Sequence, residues 1–281
     1  MPLGKAAEYG SLSARCHVIR SRLIASELVE QLSASRSIGE LASTLSTTHY
    51  GSFIEDISFE GVQQALSEAF DYQYHHITHR LKKRHQEIFK LFFSTKQKLI
   101  DKKAAKATHT NPEDIFHEID KNYNLLLKKS MLQTTSSERR QLKKIVGSYF
   151  DLLNLYTLVK LRLLYSLSTE ETLTYMLPFA EKFKLEELAG LCAAKNLQEL
   201  SSTIEPTLNE KFHNYETFRK ALYRYHRKYL LSAWCGYPFS IAIPFSLLRL
   251  MEIEVSNLRA ITEGVAFGLE KKEIMMMTVG D

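Results

Sequence analysis

A chain of 281 residues can bury a substantial core, and 44% hydrophobic with 25% charged residues is the balance of a soluble globular protein. Only 11 Gly and 6 Pro interrupt it, while Leu, Lys and Glu are abundant, which favours an all-α fold. The formal charge of +5, from 37 basic and 32 acidic residues, permits an acidic partner surface without demanding nucleic acid.

Cys16, Cys192 and Cys235 are isolated and odd in number. They suggest neither a disulfide framework nor a CxxC metal site, and read as buried small hydrophobes in a reducing compartment. Met1-Pro2-Leu3-Gly4-Lys5 has no apolar signal-peptide core. No run approaches the roughly 18–20 apolar residues that span a bilayer. The most apolar window, Trp234 to Leu250, is broken by Pro238, Pro244 and Arg249. A cytoplasmic location is expected.

In chain order, the first predicted helix runs from Tyr9 to Leu23, with Leu12, Cys16, Ile19 and Leu23 on one face. Ser26 is placed to cap a second, bearing Leu28 and Leu32. Ser37-Ile38-Gly39-Glu40 is a capping-box pattern for a third, through Leu41 and Leu45 to Tyr50. A fourth starts near Phe59 and carries Ala65, Leu66 and Phe70. From Ile77 to Leu99 the chain is strongly basic, with Arg80, Lys82, Lys83, Arg84, Lys90, Lys96 and Lys98 against Glu87. Ile77, Leu81, Ile88, Phe92 and Leu99 nevertheless keep helical spacing. A Lys/Ala/Thr-rich connector follows at 101–110. Asn111-Pro112-Glu113-Asp114 reads as a helix start, and Thr135-Ser136-Ser137-Glu138 as another that runs through Leu142, Ile145 and Leu152. Ser168-Thr169-Glu170-Glu171 is a further capping box. Near the C-terminus, Leu247, Met251, Val255, Leu258, Val265 and Leu269 form one face of a long helix. Pro244 suits its first turn, and Gly264 and Gly268 mark its expected frayed end.

That last stretch is said three times. Asn257-Leu258, Leu269 and Glu273-Ile274 match Ser11-Leu12, Leu23 and Glu27-Leu28 without a gap. Asn154-Leu155, Leu167-Ser168 and Glu170-Glu171 form the middle version. Leu191 to Ile204 lies gaplessly over Leu32 to Leu45, and Glu216 to Leu222 over Glu60 to Leu66. The expected organisation is one all-helical domain of pseudo-repeats covering about 9–86, a degenerate 87–150, 151–256, and a closing helix 257–281. Its repeat-motif structural positions are Leu12, Arg15, Asn154, Leu155, Arg162, Glu252, Asn257, Leu258 and Arg259.

Chemistry-bearing motifs are scarce. There is no GxxxxGK[ST], GxGxxG or GxSxG, so no nucleotide site, nucleophile elbow or cofactor is expected. His75, His76 and His79 cluster, yet no carboxylate or Cys is spaced to complete a metal site. Arg80, Lys82, Lys83 and Arg84 are the candidate interface: a solvated face, or a contact with an acidic protein or anionic lipid headgroups. Nucleic acid is the weaker partner, because Phe89, Phe92 and Phe93 fit core or interface positions rather than stacking platforms.

A family resemblance rests on an ordered set of motifs. It runs Tyr9, Ala14-Arg15, Arg22-Leu23, Thr48-His49-Tyr50 and Asp151-Leu152-Leu153-Asn154-Leu155, then Lys160-Leu161-Arg162 and Leu167-Ser168 with Glu171. Gly236-Tyr237-Pro238-Phe239 follows, and Glu252-Ile253-Glu254-Val255-Ser256-Asn257-Leu258-Arg259-Ala260-Ile261 closes it. The chain resembles the C subunit of the archaeal and bacterial A/V-type rotary ATPases, equivalent to the d subunit of the eukaryotic vacuolar enzyme. The resemblance implies a funnel-shaped, pseudo-threefold helical protein with no active site, present as one copy per complex. Such a protein seats the central shaft on the membrane rotor ring, is peripheral to the membrane through that ring, and needs no nucleic acid. It would couple ATP hydrolysis or synthesis to proton or sodium transport. Two departures stand out: the second unit is reduced between Ile88 and Phe150, and the Gly-Lys that often follows the last motif is Gly264-Val265. The residues alone also allow a different class, a helical adaptor or regulatory module binding acidic lipid or nucleic acid through the basic helix.

Overall fold

The computed structural model of the protein describes residues 3–93 and 112–279. Within them it forms thirteen α-helices and no strand, the class that composition and periodicity predict. The 101–110 connector, Asn111, Lys96, Lys98 and Leu99 lie outside the described residues. The helices divide between two compact units, one of Met1–Ile77 with Asn214–Asp281 and one of Thr78–His213.

The first unit contains α1 (Leu3–Arg20), α2 (Ser26–Ser33), α3 (Ile38–Leu45) and α4 (Phe59–Thr78, to Ile77). To these the C-terminal part of the chain adds three helices: α11 (Tyr215–Ser232), α12 (Ala242–Ala266) and α13 (Lys271–Met277). Its spine is α12, which touches α1, α2, α3, α11 and α13. Ile241 to Met251 is buried without a break, so this half is enclosed on every side, as a helix apolar all round must be. From Glu252 onward exposed positions appear, and Val255, Leu258, Ile261 and Val265 form a buried apolar stripe. That stripe shares a core with Leu32, Leu41, Leu45, Tyr50 and Leu66. Each such side chain, fully buried, contributes about 1.5–3 kcal/mol of transfer free energy.

The end of α12 corrects one expectation. Gly268 takes φ +70, its N–H donates to Val265 O (3.1 Å), and Leu269 N–H donates to Gly264 O (2.9 Å). These are the two bonds of a Schellman cap, so the terminus is closed rather than frayed. Gly264 is buried, and a Cβ there would lie 2.6 Å from Ile274 Cγ1. Its missing side chain is what lets α13 fold back onto α12. The single closing helix expected over 257–281 is therefore the second half of α12, a cap, and α13.

The second unit holds α5 (Lys83–Phe92), α6 (Pro112–Leu132), α7 (Ser136–Val159), α8 (Thr169–Thr174), α9 (Leu185–Leu191) and α10 (Leu197–Leu208). Ile88, Phe89, Leu91 and Phe92 are buried on α5, which packs on α6; α6 in turn packs on α7. The continuous basic helix expected from Ile77 is broken. α4 stops at Thr78, Leu81 N–H donates to Thr78 O (2.9 Å), and Lys82 is extended at ψ 148 before α5 begins. A short turn advances the apolar phase much as one helical turn does, so Ile77, Leu81 and Ile88 are all buried despite the break.

Local capping follows the sequence closely. Thr135 Oγ1 accepts Glu138 N–H while Glu138 Oε2 accepts Thr135 N–H, a full capping box for α7, and Ser168 with Glu171 forms another for α8. The expected match of Leu32–Leu45 with Leu191–Ile204 shows the same cap at both α3 and α10. Ser37 and Asn196 are the N-caps, accepting from Glu40 N–H and Glu199 N–H. Each glutamate then accepts the N–H of the residue before its cap, Arg36 or Lys195, at 2.8 Å. Three details differ from expectation. α1 spans Leu3–Arg20, Ala25 rather than Ser26 caps α2, and Cys235 is exposed although Cys16 and Cys192 are buried.

Candidate functional site

Both α7 and α12 carry an acid three residues before an asparagine, Asp151 with Asn154 and Glu254 with Asn257. Residues three apart share a helix face, so each pair presents a carboxylate and an amide side by side. On α7, Asn154 Nδ2–H donates to Leu177 O (2.9 Å) and its Oδ1 accepts Leu177 N–H (2.8 Å). Asp151 is fully buried, and its carboxylate accepts Lys182 N–H (3.1 Å) and Phe183 N–H (3.0 Å). The irregular segment between α8 and α9 is thereby pinned to α7.

The pair on α12 does the same work in its own unit. Asn257 Nδ2–H donates to Val279 O (2.7 Å) and Oδ1 accepts Val279 N–H (2.9 Å). Glu254 accepts Ile24 N–H at Oε2 (2.6 Å) and the Tyr50 hydroxyl at Oε1 (2.7 Å). Loop amides buried away from water need partners, and side chains on a rigid helix supply them here. Burial pushes the Glu254 carboxyl up to about 7, against the pull of its two donors. The Tyr50 phenol is raised by burial and by the Glu254 charge. His49, 4.0 Å from Glu254, is lowered by burial.

The remaining motif residues are also placed for scaffolding. Leu12, Leu155 and Leu258 are 3%, 0% and 2% exposed. Arg162 lies in a π-helical turn, Lys160–Leu164, where its guanidinium reaches Cys192 O (3.0 Å) and Leu167 O. Arg259 donates to Ser67 Oγ, and its own carbonyl accepts Gln63 Nε2–H (3.2 Å). Glu252 receives Arg249 Nη1 (2.5 Å), and Arg249 Nε–H donates to His226 Nε2 (3.3 Å). Burial and that guanidinium hold His226 neutral, well below the ordinary imidazole range. Arg15 is half-buried beside an open cavity.

Arg80, Lys82, Lys83 and Arg84 are all exposed, at the turn that opens the second unit. Lys82 is the N-cap of α5, and Lys83 and Arg84 lie in its first turn, which contains no acid. Arg84 is steered by its neighbour, since its Nε–H donates to Nε2 of the buried His85 (3.1 Å). His75 and His76 are on α4 but His79 lies beyond its end, and His76 stacks on Tyr72 at 5.7 Å and 11°. Among the described residues there is no group of three or more His, Cys, Asp or Glu able to hold a metal, and no helix long and apolar enough to cross a membrane.

The family model for the ATP synthase (C/AC39) subunit matches residues 12–97 and 97–277. The chain belongs to the C/AC39 family. It is a V/A-type ATPase subunit, as its resemblance to the C and d subunits implies. A search of curated proteins finds no match.

Asn154 and Asn257 are among the motif positions singled out from the sequence of this C/AC39 chain, whereas Asp151 and Glu254, which act with them, appear there only as members of longer motifs. A signal was present. Glu8-x-x-Ser11, Asp151-x-x-Asn154 and Glu254-x-x-Asn257 share one spacing. Ser11, at the corresponding place in the first of these, is exposed.

Proposed function

We propose that this C/AC39 protein is a non-catalytic part of the central stalk, joining the rotating shaft to the membrane rotor ring so that ATP hydrolysis or synthesis is linked to proton or sodium transport. The family match running from residue 12 to residue 277 carries this reading. Its physical support is the use made of buried polar groups. Asp151, Asn154, Arg162, Glu254 and Asn257 all hold backbone in place, which stiffens a body that must transmit force. The three-unit repeat is part of the same proposal, supported by the recurring caps of α3 and α10 and the recurring acid–asparagine pairs.

The docking face proposed for an acidic rotor partner is the turn Arg80, Lys82, Lys83 and Arg84. A helix N-terminus favours anions, so Lys83 and Arg84 at the start of α5 are unfavourably placed in the isolated chain. An acidic surface from a partner would relieve that conflict. Paired measurement of ATP hydrolysis and ion transport in reconstituted vesicles tests the coupling role. Complexes lacking this protein should hydrolyse ATP and fail to pump; pumping that survives its complete removal defeats the proposal.

A further inference from the structure

In the first unit, the end of α1, the turn after α3 and the face of α4 enclose an open cavity of about 720 Å³. Four of its side chains are cationic or can become so: Arg15, Arg22, His49 and His76, and no carboxylate lines it. Neither arginine has a carboxylate partner among the described residues. Both ring nitrogens of His49 are buried away from solvent. The Arg22 backbone adjoins the ring, and Glu254, 4.0 Å away, also binds Tyr50 and Ile24. Arg22 is exposed and Arg15 half-buried, so both guanidiniums are open to an anion that enters from solvent.

The opposite side of the cavity is aromatic. Phe53 and Tyr72 lie 5.8 Å apart, and Tyr72 continues into the parallel stack with His76. A lone oxyanion would leave most of this space empty, whereas the volume falls within the roughly 300–1,000 Å³ of small-molecule sites. We propose that the cavity binds a small phosphate ester, its oxyanion held by Arg15 and Arg22 and its planar organic part lying against Tyr72 and Phe53. Guanidinium forks match phosphate oxygens bidentately, and exposed aromatic faces accept flat rings. The linear motifs that mark phosphate loops do not reveal such a site, because side chains at the end of α1 rather than loop amides hold the oxyanion, and the aromatic wall comes from other elements of the first unit.

Calorimetric titration of the full chain with phenyl phosphate and with inorganic phosphate at matched ionic strength tests this. Saturable binding of phenyl phosphate is expected, about tenfold or more tighter than that of inorganic phosphate. Arg22→Gln and Arg15→Gln should each weaken it by about tenfold, the worth of one charge-assisted hydrogen bond. Tyr72→Ala, at an exposed position, should abolish the preference for the ester while leaving inorganic phosphate binding in place. Arg227→Ala removes an exposed charge on α11 and should change nothing, and circular dichroism verifies that each variant keeps its helicity. The proposal fails if phenyl phosphate shows no saturable binding at millimolar concentration, if the two ligands bind equally, or if the Arg227 variant weakens binding as much as the Arg22 variant does. None of these outcomes bears on the coupling role, which is read from ion transport.

Discussion

Asn257 and Val279 face each other as a closed pair, the side-chain amide of one bonded at 2.7 and 2.9 Å to both backbone groups of the other. Asn154 and Leu177 repeat the geometry at 2.9 and 2.8 Å in the other unit. An asparagine offers a donor and an acceptor in one plane, so it can stand in for the neighbouring strand that an extended residue would otherwise need. Asn257→Ala should leave two buried backbone groups unmet and cost about 1–3 kcal/mol. The local readout is hydrogen exchange. The Val279 amide should lose protection in Asn257→Ala and the Leu177 amide in Asn154→Ala, each without effect at the other site.

Leu12, Leu155 and Leu258 are buried on α1, α7 and α12. Truncation to Ala should destabilise by about 2–5 kcal/mol at each, according to how far the surroundings collapse into the space. Chemical denaturation measures this. A loss below about 1 kcal/mol at two of the three would contradict their role as core anchors of the opening helices.

Glu254 makes stability depend on pH with a defined sign. Its folded value of about 7 lies above the ordinary 4.5, so between these limits the folded chain holds a proton that the unfolded chain has released. Stability contributed by this group is complete below about 4.5 and declines as pH rises towards 7. Glu254→Gln should flatten that part of the profile, by an amount on the order of 1–3 kcal/mol. Denaturation midpoints of both proteins at pH 4.5, 6 and 8 give the comparison; parallel curves would contradict the assignment.

Reversing Lys82, Lys83 and Arg84 to Glu separates folding from docking. Acids in the first turn of α5 suit its dipole, so the variant should be as stable as the parent or gain roughly 0.3–1 kcal/mol. Binding to an acidic rotor partner should weaken, and by more at low salt, because exposed pairs are worth only about 0–1 kcal/mol each and are screened. Thermal melts and salt-dependent affinity measurements give the two readouts. If affinity is unchanged at low ionic strength, the turn is a solvated surface.

What the sequence determined by itself is whatever depends on near neighbours. The all-α class, the capping boxes at Thr135 and Ser168, the buried faces of α5 and α12, and the C/AC39 relationship all follow from spacings of a few residues or from ordered motifs. Contacts between residues far apart in the chain were decided only by the tertiary structure. Nothing near Glu254 in the chain shows that Ile24 N–H and Tyr50 meet it across more than two hundred positions. Gly264 read as a helix breaker because its cost in a helix is local, whereas its benefit, room for Ile274, is set by another helix. The basic stretch kept its apolar period through a turn, since burial constrains which side faces the core and not whether the backbone between stays helical. The cavity between Arg22 and Tyr72 is not legible in the sequence, because the end of α1 meets the turn after α3 and the face of α4 only when they pack together.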